Sequence, residues 1–175
     1  NEFDISAKDR VTNLNPLFFD NSVFDIYGGL FNGASIVPVS RVDTVNPSNT
    51  VKILKKKRAT TWFSVPSLIT YYQKFFLMNK KNLPSIKKII FGGEGFPKKN
   101  LKKLFESFSK KVSLFNVYGP TECTCICSSY KISQKDFITS EMQRYAPFGT
   151  NLARNFKYLI LDNNNKLINK KGMVG

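Results

Sequence analysis

No apolar run in this 175-residue chain reaches the roughly 18 residues that a membrane-spanning helix needs. The first residues, Asn1-Glu2-Phe3-Asp4, do not resemble a secretory signal, so a cytoplasmic protein with no membrane partner is expected. Cysteine is scarce, with only Cys123, Cys125 and Cys127. An odd number without an export signal argues against a disulfide framework. Their spacing of two fits no zinc pattern and puts all three on one face of an expected strand, as core thiols. Acids are scarce too, 12 against 27 Lys and Arg, leaving a net charge of +15. That excess permits a basic nucleic-acid-binding module, yet no RNP-like, KH-like or zinc-finger pattern accompanies it. Most lysines fall on polar faces of expected helices, so solvated surface is the reading and nucleic acid is not the expected partner. Internal repeats are absent.

What is present argues for a folded domain. Hydrophobic residues make up 42% and aromatics 14%, and the length suits one domain with a real core. A lead-in segment with a short strand at residues 11–14 comes first. Ser22 or Asn21 can cap a helix through residues 23–31, whose apolar residues recur at helical spacing. Residues 33–39 read as a buried strand and 41–50 as polar and turn-rich. A short amphipathic helix is expected over 50–57 and a strand over 60–65. Pro66 stops that strand, and Ser67 caps a helix whose inner face carries Leu68, Tyr71, Tyr72 and Phe75. A strand at 86–91 precedes Gly92-Gly93-Glu94-Gly95. The helix from Pro97 carries a stripe of Leu101, Leu104, Phe105 and Phe108. A strand at 112–117 leads into the loop, the cysteine strand follows, and a hairpin through Asn163-Asn164-Asn165 closes the chain. Strands alternating with helices predict an α/β fold: a largely parallel sheet flanked by helices, with a terminal antiparallel hairpin.

Two loops carry the chemistry. Gly92-Gly93-Glu94-Gly95 lets backbone N–H groups approach a ligand, next to the positive end of the following helix. Asn116-Val117-Tyr118-Gly119-Pro120-Thr121-Glu122 packs an amide, an aromatic ring, a hydroxyl and a carboxylate into seven residues. Those groups could bind a base, a phosphate and a divalent cation, or simply form a polar turn. Lying at successive strand ends, the two loops could face one crevice. Asp20, among Phe18, Phe19 and Phe24, either caps the helix or pairs with a cation.

Three motifs in order resemble the adenylate-forming enzymes, most of all the amino-acid adenylation domains of nonribosomal peptide synthetases and the D-alanyl carrier protein ligase. Phe19-Asp20-Asn21-Ser22-Val23-Phe24-Asp25-Ile26 resembles the family's "FDxSVxxI/F" stretch. Phe91-Gly92-Gly93-Glu94 resembles its "FGGE" loop, and residues 116–122 its "N-x-YGPTE" loop. The likeness spans essentially the whole chain.

The resemblance implies a ligand for the crevice. Tyr118 would stack on the adenine of ATP, with Asn116 and the Gly92, Gly93, Glu94 and Gly95 loop at its edge and Gly119 shaping the turn. Thr121 would touch the α-phosphate and Glu122 would help hold Mg²⁺, making these two the catalytic candidates. Asp20 would meet the α-ammonium of an amino-acid substrate. The walls of the side-chain pocket would be Asn21, Phe24, Ser64, Ile90, Gly92, Val117, Cys125 and Ile126, which implies a small or modest polar amino acid. The product, an aminoacyl adenylate, would pass to the phosphopantetheine thiol of a carrier protein. An acyl-CoA ligase of the same superfamily is the alternative, and Asp20 separates the two, because a fatty or aryl acid has no ammonium.

The resemblance also implies missing parts. A lysine-containing phosphate loop would precede residue 1; a ribose-binding aspartate, a hinge and a small C-terminal domain with a catalytic lysine would follow Gly175. On that reading residues 1–175 are a single partial AMP-binding domain, truncated at both ends and inactive alone.

Overall fold

The structure, a computed structural model, describes residues 2–108, 111–138, 145–152 and 156–168. Its centre is a seven-stranded sheet in the order β2-β1-β3-β4-β5-β6-β7. The strands are β1 (Arg10–Asn13), β2 (Ser35–Pro38), β3 (Thr61–Ser64), β4 (Lys88–Gly92), β5 (Ser113–Tyr118), β6 (Ser128–Lys131) and β7 (Thr150–Asn151). Pairings among β1 to β5 are parallel, whereas β6 runs antiparallel to β5 and β7 to β6. The expected α/β sheet is therefore present.

Alternation along the strands builds two cores. Trp62, Ile89, Phe91 and Leu114 point to one face, where α3 (Pro47–Lys56), α4 (Pro66–Lys74) and α5 (Lys98–Phe108) cover them. Phe63, Ile90, Phe115 and Val117 point to the other, against Phe3, Ile5 and Phe24. Each fully buried large apolar side chain contributes about 1.5–3 kcal/mol. Leu101, Leu104 and Phe108 are the buried stripe of α5, as expected, and Phe105 packs at its margin.

Several local expectations need correction. The strand expected over 33–39 sits at the sheet edge, so only Val37 of β2 is buried; Pro38, which has no N–H, is tolerated there. The segment 41–50 is not all turn: Ser40 accepts from the Asp43 N–H to start α2 (Arg41–Thr44), and Asn46 accepts from Asn49 to start α3 three residues early. Ser67 caps nothing. Pro66 takes the first helical position of α4, and the Ser67 N–H and hydroxyl both donate to the Glu94 carboxylate, at 2.9 and 3.0 Å. That carboxylate meets an otherwise unpaired N–H at the positive end of the helix. Of its residues, α4 buries Pro66, Ile69 and Tyr72, while Tyr71 is 37% exposed and Phe75, at its end, 51%.

The cysteines do not share a strand. To bring β6 antiparallel against β5, the chain must reverse between Tyr118 and Ser128. It does so through a 3₁₀ turn at Thr121–Cys123, followed by left-handed backbone at Thr124 and Cys125, φ 54° and 79°. Cys125 and Cys127 are buried, as core thiols should be, while Cys123 is half-buried. The final hairpin is reduced to one bridge, Leu161 with Leu167, around a turn at Asp162. Part of the connection expected over 133–145 lies outside the described residues. Among the described residues no helix is long and apolar enough to cross a membrane.

Candidate functional site

The carboxyl ends of β1, β3, β4 and β5 lie side by side, and parallel sheets bind ligands beyond that edge. A cleft of about 810 Å³ opens there. Six of the sequence candidates line it: Asp20, Asn21, Gly93, Glu94, Gly119 and Thr121. The two loops do face one crevice. Leu14, Asn15, Val65 and Tyr71 join the walls, and the sequence reading had not placed them there.

Asp20 precedes the short helix α1 (Asn21–Val23), which runs straight into a π-helical turn at Phe24–Gly28. Its own backbone is already helical and its side chain makes no capping hydrogen bond. The cap reading of Asp20 therefore fails, and its carboxylate is left on the cleft wall. Phe18 and Phe19 stand mostly in solvent beside it, 76% and 57% exposed, so the expected aromatic enclosure is open on that side.

Of the expected pocket residues, Asn21 lines the open cleft and the others lie behind its wall. Ile90, Val117, Cys125 and Ile126 are buried with Phe24 and Phe63 in the second core. Phe24 stands edge-on to Phe63, centroids 4.8 Å apart. Ser64 is fully buried and occupied: it accepts from Trp62 Nε1 at 2.8 Å and donates to the Val65 carbonyl at 3.2 Å. The Cys125 thiol reaches the Asn21 Oδ1 at 3.8 Å, linking this group to the cleft wall. Burial first, and the Asp20 carboxylate second, push that thiol up to about 12, so it stays protonated at neutral pH.

Gly92 is required where β4 meets β5. A Cβ there would collide with the Val117 carbonyl oxygen and fall 2.7 Å from its Cγ2. Gly92→Ala should cost about 1–3 kcal/mol through overpacking, read as a lower urea midpoint. An unchanged midpoint would mean that the two strands can part without penalty. Gly119 is equally confined, by the Cys125 carbonyl across the bend. Gly95 lies against the Tyr145 ring, outside the main cleft.

Asn116 and Tyr118 both have partners within the chain. The Asn116 amide is buried and donates to the Pro147 carbonyl at 2.8 Å, holding the segment after Tyr145 against the sheet. Tyr118 is 45% exposed, its ring tilted against Phe148 with centroids 5.0 Å apart. Glu122 is exposed on the 3₁₀ turn next to Thr121. Among the described residues no three acids, cysteines or histidines gather as a ready-made metal cage. Mg²⁺ held by one or two carboxylates and substrate phosphates needs no such cage, so Glu122 fits that mode.

The sequence reading missed Asp25, an acid with no exposed surface, five residues after Asp20. An ionisable residue on the inner side of an apolar helix, with Asn13 and Asn15 at the preceding strand end, was the available signal.

Comparisons with known proteins bear on the family and the fold. Bacitracin synthase 1 of Bacillus licheniformis is 32% identical over 168 residues, 96% of this chain and 3% of the synthase. A D-alanine--D-alanyl carrier protein ligase of Listeria monocytogenes is 30% identical over 134 residues, 77% of this chain and 26% of the ligase. The chain thus spans only a small part of the curated relatives it matches. Among solved structures, the Vibrio cholerae adenylation domain AlmE in complex with glycyl-adenosine-5'-phosphate superposes with a TM-score of 0.76 at 24% identity, over 95% of this chain and 30% of that one. A nonribosomal peptide synthetase protein containing adenylation and PCP domains gives 0.81 at 20%, over 96% and 32%. Both share the fold. The family described as AMP-binding enzyme matches residues 1–175, and the chain belongs to that family.

Proposed function

We propose that residues 1–175 are the central part of one amino-acid adenylation domain and that the full-length protein, in the cytoplasm, activates an amino acid with ATP. The amino-acid carboxylate attacks the α-phosphate, pyrophosphate leaves, and the aminoacyl adenylate then acylates the phosphopantetheine thiol of a carrier protein. The observation that carries this reading is Asp20, a carboxylate on the cleft wall with no capping bond to occupy it. It offers the α-ammonium a partner. Thr121, in the same cleft, presents a hydroxyl to the α-phosphate, and Glu122 beside it would hold Mg²⁺, which neutralises phosphate charge when bound. Two anionic reactants must meet, so positioning and charge neutralisation carry the acceleration. The Gly93 loop, Asn116 and Tyr118 frame the adenine end. The buried group around Cys125 and Val117 would line a pocket for a small or modest polar side chain.

The test is pyrophosphate exchange by the full-length protein with a panel of amino acids and their des-amino analogues. Exchange that requires the α-amine supports the proposal. Equal exchange with fatty or aryl acids overturns it in favour of an acyl-CoA ligase.

Tyr118→Ala in the same protein should weaken ATP binding by about 1–3 kcal/mol, the scale of base–aromatic stacking. Glu122→Gln should instead lower turnover with less effect on nucleotide affinity, since it touches the metal. An ATP Kd untouched by Tyr118→Ala would reduce that ring to a partner for Phe148.

A further inference from the structure

The Asp25 carboxyl sits in the π turn, fully buried, and one of its oxygens does nearly all the bonding. Oδ2 accepts from Asn13 Nδ2 at 3.1 Å, from the Asn15 N–H at 3.3 Å and from Asn15 Nδ2 at 3.1 Å. Asn15 Nδ2 also donates to the Phe63 carbonyl of β3 at 3.2 Å. Oδ1 is buried without a partner. π turns inside helices recur at functional sites, and a buried polar group is kept only where something compensates its desolvation.

Two segments that form the cleft wall meet at this one oxygen, and a third joins them through Asn15. The first is the end of β1, where Leu14 and Asn15 line the cleft. The second is the helix carrying Asp20 and Asn21, which is continuous with the turn bearing Asp25. The third is the end of β3, where Val65 follows Ser64. Asp25 does not line the cleft itself. We infer that Asp25 is a positioning residue for the amino-acid end of the cleft: it clamps the Asp20 helix to β1 directly and to β3 through Asn15, and so fixes where the Asp20 carboxylate stands. The inference rests on the proposed function, because it assigns Asp20 to the substrate ammonium.

Burial pushes the Asp25 carboxyl up to about 7, against the hydrogen bonds from Asn15 and Asn13, which favour its ionised form. The clamp itself needs only an accepting oxygen at the Oδ2 position. Asparagine reproduces that shape, its carbonyl oxygen taking the place of Oδ2. Alanine removes the clamp.

The experiment is pyrophosphate exchange by the full-length protein, with KM measured separately for the amino acid and for ATP. Asp25→Ala should raise the amino-acid KM tenfold or more with the ATP KM within twofold. Asp25→Asn should restore the amino-acid KM to within threefold of wild type. Asn15→Ala breaks the same clamp from the β1 side and should resemble Asp25→Ala, which keeps the test open if Asp25→Ala fails to fold. A wild-type amino-acid KM in either Asp25→Ala or Asn15→Ala overturns the inference. So does an equal rise in both KM values, or an Asp25→Asn variant as impaired as Asp25→Ala. If wild type itself exchanges pyrophosphate with no amino acid, it is the proposed function that falls, a result separate from any behaviour of the variants.

Discussion

Asp20→Ala in the full-length protein should raise the Kd for the preferred amino acid by about two orders of magnitude. Removing one partner of a buried ion pair costs about 3–5 kcal/mol. Asp20 is only half-buried, with Phe18 and Phe19 turned to solvent, so the lower end of that range applies. At about 1.4 kcal/mol per decade, roughly 3 kcal/mol is a hundredfold. The ATP Kd should hardly move. Stability should hardly move either, because the side chain makes no capping bond whose loss would cost about 1 kcal/mol. The measurement is calorimetric titration of wild type and variant with the amino acid and with its des-amino analogue. Wild type should strongly prefer the amine and the variant should not. Should the variant discriminate as well as wild type, the ammonium is held elsewhere.

The second large effect concerns pH. An aspartate in the unfolded chain releases its proton near 3.8, whereas buried Asp25 holds it up to about 7. Between those values the native state retains a proton that the unfolded state has lost, so stability falls as pH rises. The contribution is full below about pH 4 and gone once pH has passed 7. A displacement of about three pH units corresponds to ~4 kcal/mol. The sequence has no histidine, so little else titrates in this window. Urea midpoints measured from pH 5 to 8 should therefore decline up to about pH 7 and level off beyond it, and Asp25→Asn should flatten the decline. A variant with the wild-type slope would assign the effect to another group.

Much of the architecture was legible because its signals are local. The stripe of α5 and the apolar runs of β4 and β5 depend only on periodicity, and the structure keeps them. The two loops were legible for the same reason: each follows a parallel strand, and parallel strands end at one edge. What escaped was decided by partners distant in sequence. Ser67 looks like a cap until Glu94, 27 residues on, takes its N–H. Asn116 donates to the Pro147 carbonyl, a partner 31 residues on that no local pattern announces. The three cysteines alternate as in a strand, but the antiparallel pairing of β6 forces a reversal just where they lie.

The left-handed bend at Thr124 and Cys125 bears on how this pocket could be redesigned. Neither residue is glycine, and each side-chain-bearing residue held there costs about 1–3 kcal/mol. That cost belongs to the backbone, and it rises for β-branched side chains and falls for Asn and Asp. A library at position 125 would therefore start from strain already present, and its unbranched members would differ mainly in how they fill the space beside Asn21 and Phe24. Glycine is the exception, because it would relax the bend and loosen the wall together. Selectivity of the proposed pocket would then be open to exchange of side chains, provided that the hinge beneath them stays stiff.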